Sequence, residues 1–235
     1  MCTASIVPLE DGFRLAFNRD ERRDRPAALA PGIRRLRHRV AVFPIDPFGG
    51  GTWIGVNDLG LVAALLNRTT TPGMPTDPLR PSRGQIIPAL LDCQSLAEAL
   101  DDCLALEPLR FNPFRLFLIQ DSHAAVATSA DDGLSIEQIE LERPWMLTSS
   151  SLGDSLVEAP RRQLFEQIFA FDGESPDHAQ TRFHSHRWPD RPEISVAMSR
   201  PDAKTVSQTW VRVSSSLIKV RYRSFNQPRH GIAAA

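Results

Sequence analysis

Two short apolar runs, Thr3–Val7 and Phe13–Asn18, flank the polar triplet Glu10-Asp11-Gly12, and this pattern predicts a β-hairpin that ends at Asn18-Arg19-Asp20-Glu21. Strand, turn and strand recur over Thr52–Asn57, Asp58-Leu59-Gly60 and Leu61–Asn67. Further strand-like runs are Phe114–Gln120, Ala124–Thr128 and Leu134–Leu141, with Asp131-Asp132-Gly133 as a turn between the last two. Trp145–Ser149, Ile194–Ser199, Thr205–Val213 and Leu217–Phe225 complete the β-pattern. Ser95-Leu96-Ala97-Glu98 fits a capping box that opens a helix to about Glu107, with Leu96, Leu100, Cys103 and Leu104 on its apolar face. Pro160 suits the first turn of a second helix reaching about Phe171. Residues 22–40 and 172–191 lack periodicity and read as irregular, and the prolines between Pro72 and Pro81 mark a loop. Hairpins with helices between groups of them predict an α+β fold of antiparallel sheets. No repeat or break in composition divides the chain, so a single domain over 1–235 is expected.

Composition narrows the class. The 235 residues are 42% hydrophobic and 23% charged, enough apolar material for a sizeable core without a staple of disulfides or metal. A formal net charge of -1 gives no global pull toward nucleic acid or membrane. The nine arginines from Arg14 to Arg39 read as a solvated stretch, because no aromatic residues interleave as in a strand-binding surface. No apolar run approaches the roughly 18–20 residues of a membrane span, and the N-terminus lacks the character of a signal peptide. Three cysteines without a close pair fit a reducing compartment, so a cytoplasmic location is expected.

The candidate chemistry lies at the start. A small residue after Met1 favours its removal, which would leave Cys2 with a thiol and a free α-amine on one residue. That amine, with an ordinary pKa of about 7.7–8, can take the thiol proton without a separate histidine. The hairpin returns Asn18–Asp20 to the neighbourhood of Cys2, so Arg19 can favour the thiolate and Asp20 can orient the amine.

Met1-Cys2-Thr3, Asn18-Arg19-Asp20-Glu21 and Gly50-Gly51-Thr52-Trp53-Ile54-Gly55 together resemble the NRDE family, also called transport and Golgi organisation 2. Asn57-Asp58-Leu59-Gly60 through Asn67, Ser82-Arg83-Gly84, Asn112-Pro113-Phe114 and Leu147-Thr148-Ser149-Ser150 extend the resemblance through most of the chain. The sequence is more distantly similar to the choloylglycine hydrolase and penicillin V acylase group of N-terminal nucleophile hydrolases. That similarity implies a four-layer αββα sandwich and a catalytic set of Cys2, Arg19, Asp20, Asn67 and Ser150. Around it, Trp53 is read as a pocket wall or simply core, Ser149 as pocket lining, and Asn18 and Arg83 as substrate-binding, Arg83 toward an anionic group. Asn67 inherits an oxyanion role. The hydrolases place their aspartate three residues beyond the arginine, whereas Asp20 follows Arg19 directly; Ser149-Ser150 stand where they carry two asparagines. The implied activity is hydrolysis of a linear amide or related acyl substrate, a small molecule, with no cofactor. The alternative is a non-catalytic binding or trafficking protein that handles haem or lipid in the same pocket. Oligomeric state is left open.

The other candidates carry less. Cys93 and Cys103 read as structural thiols. His184 and His186, with His178 upstream, have ligand-like spacing, but nothing completes a metal set, and a surface loop is expected. Gly49-Gly50-Gly51 lacks a phosphate-loop context and reads as a close backbone passage beside the pocket. Arg200 is a possible anchor for an anionic substrate group, and Ser149–Ser151 lack a nucleophile elbow.

Overall fold

The computed structural model describes residues 2–69, 76–130, 133–170 and 173–225. Parts of the expected turn at Asp131-Asp132, of the proline loop (Pro72, Pro75) and the helix end at Phe171 lie outside them, as does Met1. The expected hairpins form. β1 (Cys2–Leu9) pairs with β2 (Gly12–Arg22), β5 (Ile54–Asn57) with β6 (Val62–Asn67), and β7 (Phe114–Gln120), β8 (His123–Ala130) and β9 (Gly133–Glu140) run as a meander. With β3 (Leu29–Arg35), β4 (Val40–Ile45), β10 (Trp145–Ser149), β11 (Ala203–Ser214) and β12 (Ile218–Ser224), they make two antiparallel sheets. One has the order β10-β1-β2-β11-β12, the other β3-β4-β5-β6-β7-β8-β9.

Alternation along the strands builds the layers. Cys2, Ala4 and Ile6 on β1, and Phe13, Leu15 and Phe17 on β2, meet Ile54, Val56, Val62, Ala64 and Leu66 of the opposing sheet in the central core. The outer face of the larger sheet (Ala63, Leu65, Leu116, Leu118) is covered by α1 (Ile86–Leu90) and α2 (Leu96–Leu104). Ser95 caps α2 by accepting from the Glu98 N–H at 3.2 Å. The outer face of the smaller sheet lies under α3 (Asp154–Phe169) and α4 (Pro176–Ser185), where Phe165, Ile168, Ala179 and Phe183 pack on Met146 and Val196. This is the αββα sandwich.

Four local expectations are corrected. Residues 22–40 contain β3, an edge strand whose register shifts between Leu29 and Gly32, around Pro31. An edge tolerates proline, and exposed Leu29 and Ile33 erase the inward pattern. α3 begins at Asp154, so Pro160 lies inside the helix rather than at its start; the missing N–H at Pro160 is one ladder bond lost. Residues 176–185 form α4, with Pro176 in its first turn and Ser175 as cap. Ile194–Ser199 forms no strand, only a bridge from Ser199 to Lys204. Its carbonyls are taken by side chains instead: Arg161 holds those of Ile194 and Ser195, and Asn18 that of Val196.

Candidate active site

β1 begins at Cys2, which is cross-strand from Arg19 on β2 and from Ser149 on β10. The residue is buried, and its backbone N–H donates to Ser149 Oγ at 3.2 Å. Burial pushes the thiol pKa up. The positive chain terminus, the Asp20 backbone N–H and the charge of Arg19 oppose this, while the Asp20 carboxylate adds to it. Net, the protonated thiol is favoured until a proton acceptor is supplied.

Arg19 is held from the opposing sheet. Its guanidinium stacks over the Trp53 ring at 4.4 Å from the centroid and donates to Asp46 Oδ2 at 3.3 Å and Glu21 Oε2 at 3.4 Å. Asp46 also pairs with Arg25. Burial alone would raise the Asp46 carboxyl, but Arg25 and Arg19 hold it below the usual carboxylate range.

Trp53 is placed by two glycines. A Cβ on Gly51 would lie 2.4 Å from the Gly84 carbonyl carbon, so the two backbones pass in direct contact, and Thr52 N–H donates to the Gly84 carbonyl at 3.0 Å. That contact sets the neighbouring Arg83 near the site. Arg83 donates to the Pro113 carbonyl at 2.8 Å; burial lowers its pKa to about 10, while Cys2 and Glu21 act in the opposite direction. The Trp53 Nε1–H is buried with no acceptor among the described residues.

Asp20 is buried and accepts from Thr205 Oγ1 at 2.6 Å. Burial raises its pKa against the pull of Arg161, the chain terminus, Thr205 and Arg200. Arg161, on α3, is the largest fully buried side chain. It donates to Thr3 Oγ1 (2.8 Å), Thr148 Oγ1 (2.6 Å) and the carbonyls of Ile194 (3.0 Å) and Ser195 (2.7 Å), and so ties α3 to the strands that carry Cys2 and Ser149.

The remaining expected residues fall in three places. Asn18 turns to the outer face, donating to the carbonyls of His184 and Val196 at 2.9 Å each and meeting His184 Nδ1 at 3.0 Å. It fixes the layer behind the sheet. Ser150 N–H donates to Asp154 Oδ1 at 2.8 Å, and Ser150 Oγ accepts from the Leu152 N–H at 3.1 Å, so the serine pair is anchored to the start of α3. Asn67 closes β6 opposite Phe114. Arg68 N–H donates to the Pro113 carbonyl, so the N–H of Asn67 points the other way, the direction in which Leu65 N–H reaches the Trp53 carbonyl at 2.8 Å. The backbone of Asn67 thus offers a donor on the Trp53 side.

Sequence reading missed Arg161 and His184. His184 is not on a surface loop: it is fully buried on α4, bonded to Ser5 Oγ at 2.8 Å, and burial lowers its pKa to about 3. Arg161 had one signal, its place in the inward stripe Val157, Arg161, Phe165 and Ile168. Arg200 is buried beside Ser151 and Asp202. Cys93 and Cys103 are buried outside the site, with burial driving both thiols up to about 12. Among the described residues, no cluster of three or more His, Cys, Asp or Glu side chains is arranged to hold a metal, and no helix is long and apolar enough to cross a membrane.

Solved structures share this fold. The N-acylethanolamine-hydrolyzing acid amidase ortholog of Caenorhabditis elegans superposes with a TM-score of 0.60 at 13% identity, covering 89% of this chain and 92% of that one. The penicillin V acylase of Agrobacterium tumefaciens gives 0.53 at 16% identity, with 96% and 87% covered. A variant of the conjugated bile acid hydrolase of Clostridium perfringens gives 0.52 at 12% identity, with 96% and 93% covered. No curated protein matches the sequence. The family model described as Transport and Golgi organisation 2 matches residues 1–215, and the chain belongs to that family.

Proposed function

We propose that the chain is a cysteine hydrolase of linear amides or related acyl compounds, with Cys2 as its nucleophile after removal of Met1. The observation that carries this reading is the placement of Cys2 at the buried start of β1, cross-strand from Arg19 and with its nitrogen 3.2 Å from Ser149 Oγ. Loss of Met1 would turn that nitrogen into an amine on the same residue as the thiol, where it can accept the thiol proton. The fold shared with three amide hydrolases supports the reaction class by analogy.

In the reaction, the Cys2 amine takes the thiol proton and the sulfur attacks the amide carbon. The carbonyl electron pair moves to oxygen, where the Asn67 N–H and Ser150 are the proposed donors. The intermediate collapses with cleavage of the C–N bond, and the ammonium of Cys2 passes its proton to the departing nitrogen. Water, deprotonated by the same amine, then attacks the thioester and releases the carboxylic acid and the thiol. Arg19 and Asp20 hold charge and geometry around Cys2. Trp53, Ser149 and Arg83 line the place where the acyl group would lie, and Asn18 supports it from behind. No cofactor takes part.

Ser149-Ser150 in place of two asparagines, and Asp20 directly after Arg19, favour a second reading, a non-catalytic member that binds haem or lipid in this pocket. A panel of N-acyl amides separates the two: hydrolysis by the wild type that Cys2→Ala abolishes supports the enzyme. No turnover across the panel, together with haem binding lost in Cys2→Ala, supports the second reading.

A further inference from the structure

The outer face of the smaller sheet carries cations in register. Arg14 on β2 pairs with Arg212 on β11, and Arg212 pairs with Lys219 on β12, so three positive side chains stand in one cross-strand row. In the adjacent row Trp210 pairs with Arg221. Neighbouring strands lie about 4.8 Å apart, and like charges directly opposite destabilise a sheet. A fold that needed only a solvated face would gain from breaking such a row.

The four cations and Trp210 surround a cavity of about 130 Å³, with Asp177 of α4 the one acid in its lining. Asp177 pairs with Arg14 at 3.2 Å, and Asp11 of the β1–β2 turn reaches Arg212 at 3.4 Å. Lys219 and Arg221 have no ion-pair partner among the described residues. The Trp210 Nε1–H is buried there with no acceptor among the described residues. Burial lowers the Arg14 pKa, with the charges of Arg221 and Arg212 acting in the same direction and Asp177 opposing. The cavity therefore presents surplus positive charge and an unused donor. Its volume is far below the roughly 300–1,000 Å³ of a site for a drug-sized molecule.

We propose that this cavity binds a tetrahedral oxyanion, a phosphate group, held by Arg14, Arg212, Lys219 and Arg221 with the Trp210 indole as a neutral donor. Phosphate brings negative charge and several acceptor oxygens, and it would cancel the repulsion within the row. The site lies on the face of the sheet turned away from Cys2 and does not depend on hydrolysis.

Inorganic phosphate tests it, by calorimetry on the full chain with chloride at matched ionic strength as the reference. Wild type binds phosphate; the exposed double substitution Lys219→Gln/Arg221→Gln weakens binding at least tenfold while leaving the circular dichroism spectrum unchanged, and Trp210→Phe weakens it less. Pelleting with phosphatidic acid vesicles, against phosphatidylcholine alone, identifies the source: co-pelleting that the double variant loses assigns a lipid phosphomonoester, and its absence assigns a soluble one. No heat beyond chloride, an unchanged affinity in the double variant, or vesicle binding without phosphate binding overturns the proposal.

Discussion

Replacing Arg161 by Met tests how the site is held. Arg161 makes four charge-assisted hydrogen bonds, two of them to buried carbonyls that Met leaves without a donor, and it offsets the buried Asp20. Removing one member of a buried charged set costs about 3–5 kcal/mol. Against a total stability of roughly 5–15 kcal/mol this is a large fraction. For a chain of this size it corresponds to a fall in Tm of about 6–20 °C. Urea unfolding of wild type, Arg161→Met, Asp20→Asn and the double variant measures both the loss and its coupling. Because Asp20 loses its main opposing charge in Arg161→Met, the double variant is expected to lose at least about 1 kcal/mol less than the sum of the two single losses. A loss below about 1 kcal/mol for Arg161→Met, or strict additivity, would refute the reasoning.

Three further outcomes are expected. His184 is neutral in the folded chain down to about pH 3 but has an ordinary pKa of 6.5 when unfolded, so the unfolded state takes the proton first and stability falls as pH drops below 6.5. The slope approaches about 1.4 kcal/mol per pH unit, and urea midpoints between pH 7.5 and 5 should show it shrink in His184→Gln. Asp46→Asn costs about 1.5–3 kcal/mol at pH 7 by loosening Arg19 and Arg25. Because the Asp46 carboxyl is depressed in the fold, its contribution is lost as pH falls through the folded pKa, and the gap to wild type should close below about pH 3.8 in acid unfolding curves. Gly51→Ala must displace the Gly84 backbone and with it Arg83 and Trp53; a reduced amidase rate and lower Tm are expected, and an unchanged Tm would contradict the close contact.

The hairpins were legible because their strands bury one face, so polar turns stand out between apolar runs. β1, β2, β5 and β6 carried the signal, and with them the approach of Arg19 to Cys2. β3 was not legible because an arginine-rich edge strand buries little. The segment 194–199 misled for the opposite reason: its apolar side chains are buried, yet its carbonyls serve Arg161 and Asn18 rather than a ladder. The support around Cys2 was only half visible. Asn18-Arg19-Asp20 announces itself as a motif, whereas Arg161 meets Thr3 and Thr148 across long stretches of chain, and no local pattern encodes such a meeting.

The central claim is that Cys2, freed of Met1, forms an acyl-enzyme. Mixing the chain with an N-acyl aminocoumarin, quenching in acid within the first turnovers and weighing the intact protein tests it most directly. The account expects a chain lacking Met1 that gains the mass of the acyl group on its N-terminal peptide, with no gain in Cys2→Ala. A chain that keeps Met1, or an acyl group that appears equally in Cys2→Ala, would contradict it.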